Sequence, residues 1–102
     1  MNVILQNYVT KDISDIYTYI SRDSYRIAEK FILKILDYIY TLSLFPEIGK
    51  LVIEEYNIRK LVYGNYIILY KLDYYSNKII IIRIFNSKQD INIILKRIEK
   101  YI

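Results

Sequence analysis

The chain of 102 residues contains no cysteine, no histidine and no tryptophan, and only one proline and two glycines. Without cysteine there are no disulfides, thiolate nucleophiles or thiolate metal sites, which fits a reducing compartment. Without histidine there is no Ser/His/Asp set, and any acid–base chemistry must fall to Lys, Arg, Tyr or a carboxylate. Two glycines cannot build a glycine-rich phosphate loop. No apolar run reaches the ~18 residues of a membrane span, and the N-terminus lacks a signal-peptide core. These absences predict a soluble, cytoplasmic chain with no membrane partner.

What is present argues for compact structure. Apolar residues make up 54% of the sequence, too many for a disordered segment. The length predicts one domain over residues 1–102 with a single modest core. Thirteen tyrosines and 23 isoleucines fit a codon bias toward Ile, Tyr, Lys and Asn better than an aromatic binding role. The net charge of +4 is uneven: residues 50–102 carry ten Lys/Arg against five Asp/Glu, residues 1–49 five against six. A basic second half favours an acidic partner, either nucleic acid or a protein surface.

Periodicity divides the chain. Met1–Tyr8 reads as a first strand. Thr10 is placed to cap a helix, with Asp12 and Asp15 early in it, where negative charge suits the helix dipole. Ile13, Ile16, Tyr17 and Ile20 make its apolar face. After SRDS (Ser21–Ser24), with Asp23 or Ser24 as cap, a second helix aligns Ala28, Phe31, Ile32, Ile35, Ile39 and Leu42. LFPEIGK (Leu44–Lys50) ends it, because Pro46 cannot extend a helix and Gly49 permits a turn. The two helices should form an antiparallel hairpin. Ile58–Tyr63, Tyr66–Asp73 and Lys78–Asn86 then read as strands rich in Ile, Val and Tyr. Gly64-Asn65 marks a hairpin turn between the first two. Ile91–Ile102 reads as a C-terminal helix. The expected fold class is α+β: an N-terminal strand, a helical hairpin packed on a three- to four-stranded, mainly antiparallel sheet, and a C-terminal helix.

Strand alternation sorts the sheet faces. Tyr66, Ile68, Tyr70, Leu72, Ile80, Ile82 and Ile84 form the set expected under the hairpin. Ile67, Leu69, Lys71, Ile79, Ile81, Arg83 and Phe85 form the other. Exposed, this second set would be a large apolar patch. Two readings are open: a partner protein covers it, or the C-terminal helix folds back over it and the alternation is partly misassigned.

The order and spacing of LFPEIGK, IRKLVYGNYIILYKLD and IIIIRIFNSKQDI resemble the RelE/ParE superfamily of type II toxins. The resemblance spans nearly the whole chain. It implies a growth-inhibiting toxin neutralised by a cognate acidic antitoxin in a hetero-oligomer, without cofactor or metal. RelE-like members cut mRNA on the ribosome with strongly basic residues and a late Tyr or His. ParE-like members act on DNA gyrase without accepted catalytic residues. Here Val62 and Tyr63 follow IRKL where RelE-like toxins carry a basic residue, and Ile93-Ile94 stand where a late tyrosine would be. RIFNSKQDI resembles the ParE-type segment, with Phe85, Asp90 and Ile91 matching, Asn86 in place of the usual His and Gln89 in place of the usual Arg.

The resemblance therefore implies a ParE-like, gyrase-binding toxin. The alternatives are a RelE-like, metal-independent mRNA endonuclease and a degenerate homologue that only binds antitoxin. For RNA cleavage the candidates to stabilise a phosphorane are Arg59, Lys60, Arg83 and Lys88. For partner binding they are Arg59, Ile67, Leu69, Lys71, Ile79, Ile81, Arg83, Phe85, Asn86 and Gln89. Arg59 has a competing reading, pairing with an acid such as Asp73. Glu54-Glu55 reads as a solvated connection.

Overall fold

Residues 1–99 are described in a computed structural model of the chain. The elements follow in the order β1 (Asn2–Leu5), α1 (Asn7–Ser21), α2 (Tyr25–Tyr40), β2 (Lys50–Ile53), β3 (Ile58–Tyr63), β4 (Tyr66–Asp73), β5 (Lys78–Asn86) and α3 (Ile91–Glu99). One five-stranded sheet has the order β1-β5-β4-β3-β2. β1 lies parallel to β5 and the remaining pairs are antiparallel. The expected α+β arrangement is present, with β2 as a strand the periodicity did not reveal. The last three residues of the expected C-terminal helix lie outside the described residues.

Helix α1 begins three residues before Thr10. Gln6 is its N-cap, with no side-chain cap bond, and Thr10 instead donates to the Asn7 carbonyl at 2.6 Å. The earlier start buries Val9 about two turns ahead of Ile16. It also moves Asp12 and Asp15 out of the first turn. Ser24 caps α2, its hydroxyl accepting from the Ile27 N–H at 3.2 Å. Ala28, Ile35, Ile39 and Leu42 are buried as the periodicity required.

The hairpin packs on Leu61, Ile68, Tyr70, Leu72, Ile79, Ile81 and Ile84. On the opposite face, Ile94 and Ile98 of α3 cover Ile58, Ile67, Leu69 and Phe85. The face assignment from alternation is thus right for β4 and wrong for the first half of β5. A β-bulge explains the error: Leu69 pairs with Arg83 and Tyr70 with Ile81, leaving Ile82 as the extra residue. One inserted residue exchanges the faces before it relative to those after it. Ile79 and Ile81 therefore lie under the hairpin, whereas Ile82 packs with the α3 cluster. Fully burying each such side chain contributes about 1.5–3 kcal/mol.

Gly64 takes φ +57, which suits the first central position of a type II′ hairpin turn. Tyr63 and Tyr66 close that turn, and Phe31 packs on both rings from α2 with centroids 5.7 and 5.4 Å away.

Candidate functional site

The segment Arg83–Asp90 leaves the sheet where β5 outruns β1. Because β1 ends opposite Ile81, the next backbone donor on that side of β5 has no strand partner. Asp12 of α1 fills the gap. Its carboxylate accepts from the Ile84 N–H at 2.9 Å and from Arg83 Nε and Nη2 at 2.8 and 3.1 Å. The Asp12 side chain is 10% exposed and that of Arg83 28%. The fork grips both carboxylate oxygens, the strongest arrangement open to this pair. Arg83 is thus turned inward to α1 rather than outward to an anionic partner.

Beyond the pair, Asn86 organises the polar exit. Its side-chain oxygen accepts from the Lys88 N–H at 2.9 Å and its carbonyl from the Gln89 N–H at 3.0 Å. Asp90 accepts from the Asn92 N–H at 2.9 Å, opening α3. An open cleft of about 390 Å³ lies between this turn and α1, lined by Asp12, Tyr66, Arg83, Asn86, Lys88 and Gln89 among others. Burial, with the neighbouring Tyr19, raises the Tyr66 hydroxyl pKa, while a hydrogen bond with Asn86 opposes the shift.

Arg59 is committed elsewhere. Its Nη1 donates to the carbonyls of Glu47 and Gly49 at 3.3 and 2.9 Å, and its Nε to Asn57 Oδ1 at 3.3 Å. The buried Tyr70 hydroxyl donates to the Pro46 carbonyl at 2.7 Å and accepts from the Gly49 N–H at 2.9 Å. The two side chains together pin the Phe-Pro-Glu-Ile-Gly turn to the sheet. A Cβ at Gly49 would lie 2.6 Å from the Tyr70 hydroxyl and 2.8 Å from the Lys60 carbonyl, so the turn packs this closely only with glycine. Asp73 is not the partner of Arg59. Its two oxygens bond the Ser76 N–H and hydroxyl, and that bonding lowers its pKa.

The four cations considered for phosphate chemistry therefore do not converge. Arg83 and Lys88 line the cleft beside α1. Arg59 holds the turn, and Lys60 lies on the α3 side of the sheet, opposite Leu69 of the α3 cluster. Of the residues considered for partner binding, Ile67, Leu69, Ile79, Ile81 and Phe85 are buried at 8% exposure or less. They are covered by the chain's own helices because of the bulge and α3. Lys71, Asn86 and Gln89 retain exposed surface. Among the described residues no three carboxylates cluster closely enough to hold a metal ion, and no helix is long and apolar enough to cross a membrane.

Asp12 and Tyr70 carry roles that periodicity did not single out. Asp12 had a signal: it lies three residues after Val9 and four before Ile16, on the buried stripe of α1, where an unpaired carboxylate is costly.

The hairpin-on-sheet architecture, with its pinned turn and helix-capped exit, has counterparts among solved structures. It is shared at low identity by solved toxin–antitoxin structures. The chromosomal ParDE system from P. aeruginosa superposes with a TM-score of 0.72 at 17% identity, covering 84% of this chain and 95% of that one. The RelBE2 toxin–antitoxin complex from Mycobacterium tuberculosis gives 0.64 at 18% identity, covering 83% and 95%. No curated protein sequence matches significantly. The family model for the ParE toxin of the type II toxin–antitoxin system parDE matches residues 3–91, and the chain belongs to that family.

Proposed function

We propose that this ParE-family toxin inhibits growth by binding DNA gyrase in the cytoplasm and is neutralised by a cognate acidic antitoxin. The observation that carries this reading is the dispersal of the cationic side chains. RNA cleavage needs groups that activate the 2′-hydroxyl, stabilise the phosphorane and protonate the leaving oxygen within one pocket. Here Arg59 is tied to the Glu47 and Gly49 carbonyls and Arg83 to Asp12, and Lys60 is absent from the cleft that contains Lys88. Inhibition by binding asks only for a rigid surface.

The antitoxin is supported by the toxin–antitoxin complexes that share the fold and by the basic second half of the sequence. Induction of the chain in a bacterial host, with growth, plasmid supercoiling and mRNA integrity followed separately, tests the proposal. Growth arrest with altered supercoiling and intact mRNA is expected, relieved by co-expression of the neighbouring gene. Cleaved mRNA with normal supercoiling would overturn gyrase as the target in favour of a RelE-like endonuclease. Normal growth would indicate a homologue that only binds antitoxin.

A further inference from the structure

The outer face of α2 carries large apolar side chains left open to solvent. Ala28, Ile35 and Ile39 turn the helix onto the core, and Leu33 points away from them at 59% exposure. Tyr25 lies about two turns before Leu33 and Tyr40 about two turns after it, exposed by 72% and 50%. Lys30 stands about one turn before Leu33 and Asp37 about one turn after it, both exposed and on the same flank of this stripe. Neither is in an ion pair among the described residues. Arg26, on the turn before Lys30, adds a like charge that mildly destabilises the free helix. Along the helix the order is therefore Tyr, Lys, Leu, Asp, Tyr. The aromatic ends are nearly equidistant from Leu33, and the two charges between them are opposite in sign.

We infer that this face of α2 pairs with the same face of a second copy of the chain, the two helices antiparallel about a two-fold axis at Leu33. Reversing the order of the side chains is what makes the face self-complementary. Leu33 meets its symmetry mate, and Lys30 of each copy lies against Asp37 of the other. Tyr40 of each copy lies against Tyr25 and Arg26 of the other, giving an aromatic pair with a guanidinium beside it. A parallel pairing would instead set Arg26 against Arg26 and align the helix dipoles in the same sense. Nucleic acid is disfavoured because Glu29 and Asp37 balance Arg26 and Lys30 on this face, and an acidic protein gains nothing there for the same reason. One helix face makes an interface at the small end of the specific range, below about 1,200 Å² in total. The dimer should therefore dissociate in the micromolar range. The pairing depends only on α2 and holds whatever the toxin acts on.

The test is sedimentation equilibrium of the full chain over a micromolar concentration series, where a reversible monomer–dimer equilibrium is expected. Leu33→Glu sets two carboxylates against each other at the axis, and Lys30→Glu turns both ion pairs into repulsions. Each should weaken the dimer at least about tenfold, and Asp37→Lys should act like Lys30→Glu. An equimolar mixture of the Lys30→Glu and Asp37→Lys chains should regain a dimer as tight as the parent's, because each copy then offers the charge that the other needs. Net charge cannot produce that rescue, since both variants keep a positive net charge. Circular dichroism melting checks that each variant is folded, and the two charge variants, at exposed positions, carry the test if Leu33→Glu does not fold. A monomer at every concentration would refute the pairing. A dimer that Leu33→Glu and Lys30→Glu leave unchanged would refute this face as its interface, and absence of rescue in the mixture would refute the antiparallel register. A chain that is monomeric alone, and whose Leu33→Glu variant no longer binds co-expressed antitoxin, would give the face to that partner and refute self-pairing.

Discussion

Removing the Asp12 carboxylate tests the link between α1 and β5 at its most loaded point. In Asp12→Ala the Arg83 guanidinium loses both fork bonds, and the Ile84 N–H loses the acceptor that replaces a strand partner. Breaking a buried ion pair from one side costs about 3–5 kcal/mol. The Arg83 side chain is 28% exposed and can turn partly into water, which reduces that cost. The orphaned Ile84 N–H adds about 1–3 kcal/mol, the penalty for an unsatisfied buried donor. The expected net loss is about 2–4 kcal/mol, a large share of the ~5–15 kcal/mol available to a domain.

At about 4–8 °C per kcal/mol for a domain of this size, Tm should fall by about 8–32 °C. Thermal and urea unfolding of Asp12→Ala, Arg83→Met and the double variant close a cycle. The double variant should be more stable than the sum of the single losses predicts, because it strands no charge. Arg83→Glu should be the least stable of the set, since it faces two carboxylates together. A loss below about 1 kcal/mol for Asp12→Ala would match an exposed pair and would refute the claim that this contact carries the α1–β5 junction.

Other perturbations probe the turn and the α3 face. Tyr70→Phe removes a donor to Pro46 and an acceptor for the buried Gly49 N–H, and should cost about 1–3 kcal/mol in urea unfolding. Desolvation raises the Tyr70 pKa above its ordinary value of 10.0. The stability this contributes is complete below pH 10 and lost as pH rises through the folded pKa. Tyr70→Phe should therefore show a shallower decline in stability above pH 10 than the parent, and parallel declines would contradict the buried hydroxyl. Gly49→Ala drives a methyl against the Lys60 carbonyl and should destabilise by about 1–3 kcal/mol; an unchanged midpoint would mean that the turn is free to move. Ile94→Ser should loosen α3 over Ile58, Ile67, Leu69 and Phe85, seen as increased binding of a hydrophobic fluorescent dye. Unaltered dye binding would show that α3 is not the cover of that face.

The elements that periodicity revealed are those whose burial follows one uninterrupted rule. The α2 stripe and the β4 alternation depend only on local geometry, and both are as the residues require. β5 obeys the same rule on each side of Ile82 but not across it, and four consecutive isoleucines provide no polar residue to mark where the phase changes. β2 was hidden because Lys50–Ile53 is only four residues long, borders Gly49 and has no alternation to read. For the candidate site, the sequence singled out Arg59 and Arg83 as candidates but could not say what they meet. Asp12 is 71 residues from Arg83 in the chain, and the carbonyls held by Arg59 are invisible in residue identity. Both contacts are set by tertiary geometry alone.

The division of labour between the two kinds of cation narrows where a partner can act. Arginine presents a rigid fork of donors that suits fixed, multidentate contacts, whereas lysine is a hydrated point charge on a flexible stem. This chain follows that division at Arg59 and Arg83. Arg59 bonds two carbonyls and an amide oxygen around one turn, and Arg83 grips one carboxylate, so both hold the frame. Lys50, Lys60 and Lys71 make no ion pair among the described residues and share the α3-side face of β2, β3 and β4. A partner that competes for the arginines must first break contacts that hold the fold. One that approaches the lysines meets cations in no direct ion pair among the described residues, beside an edge strand of the sheet. Reversing Lys50 and Lys60 should therefore weaken partner binding without lowering Tm, whereas reversing Arg83 should lower Tm whether or not a partner is present.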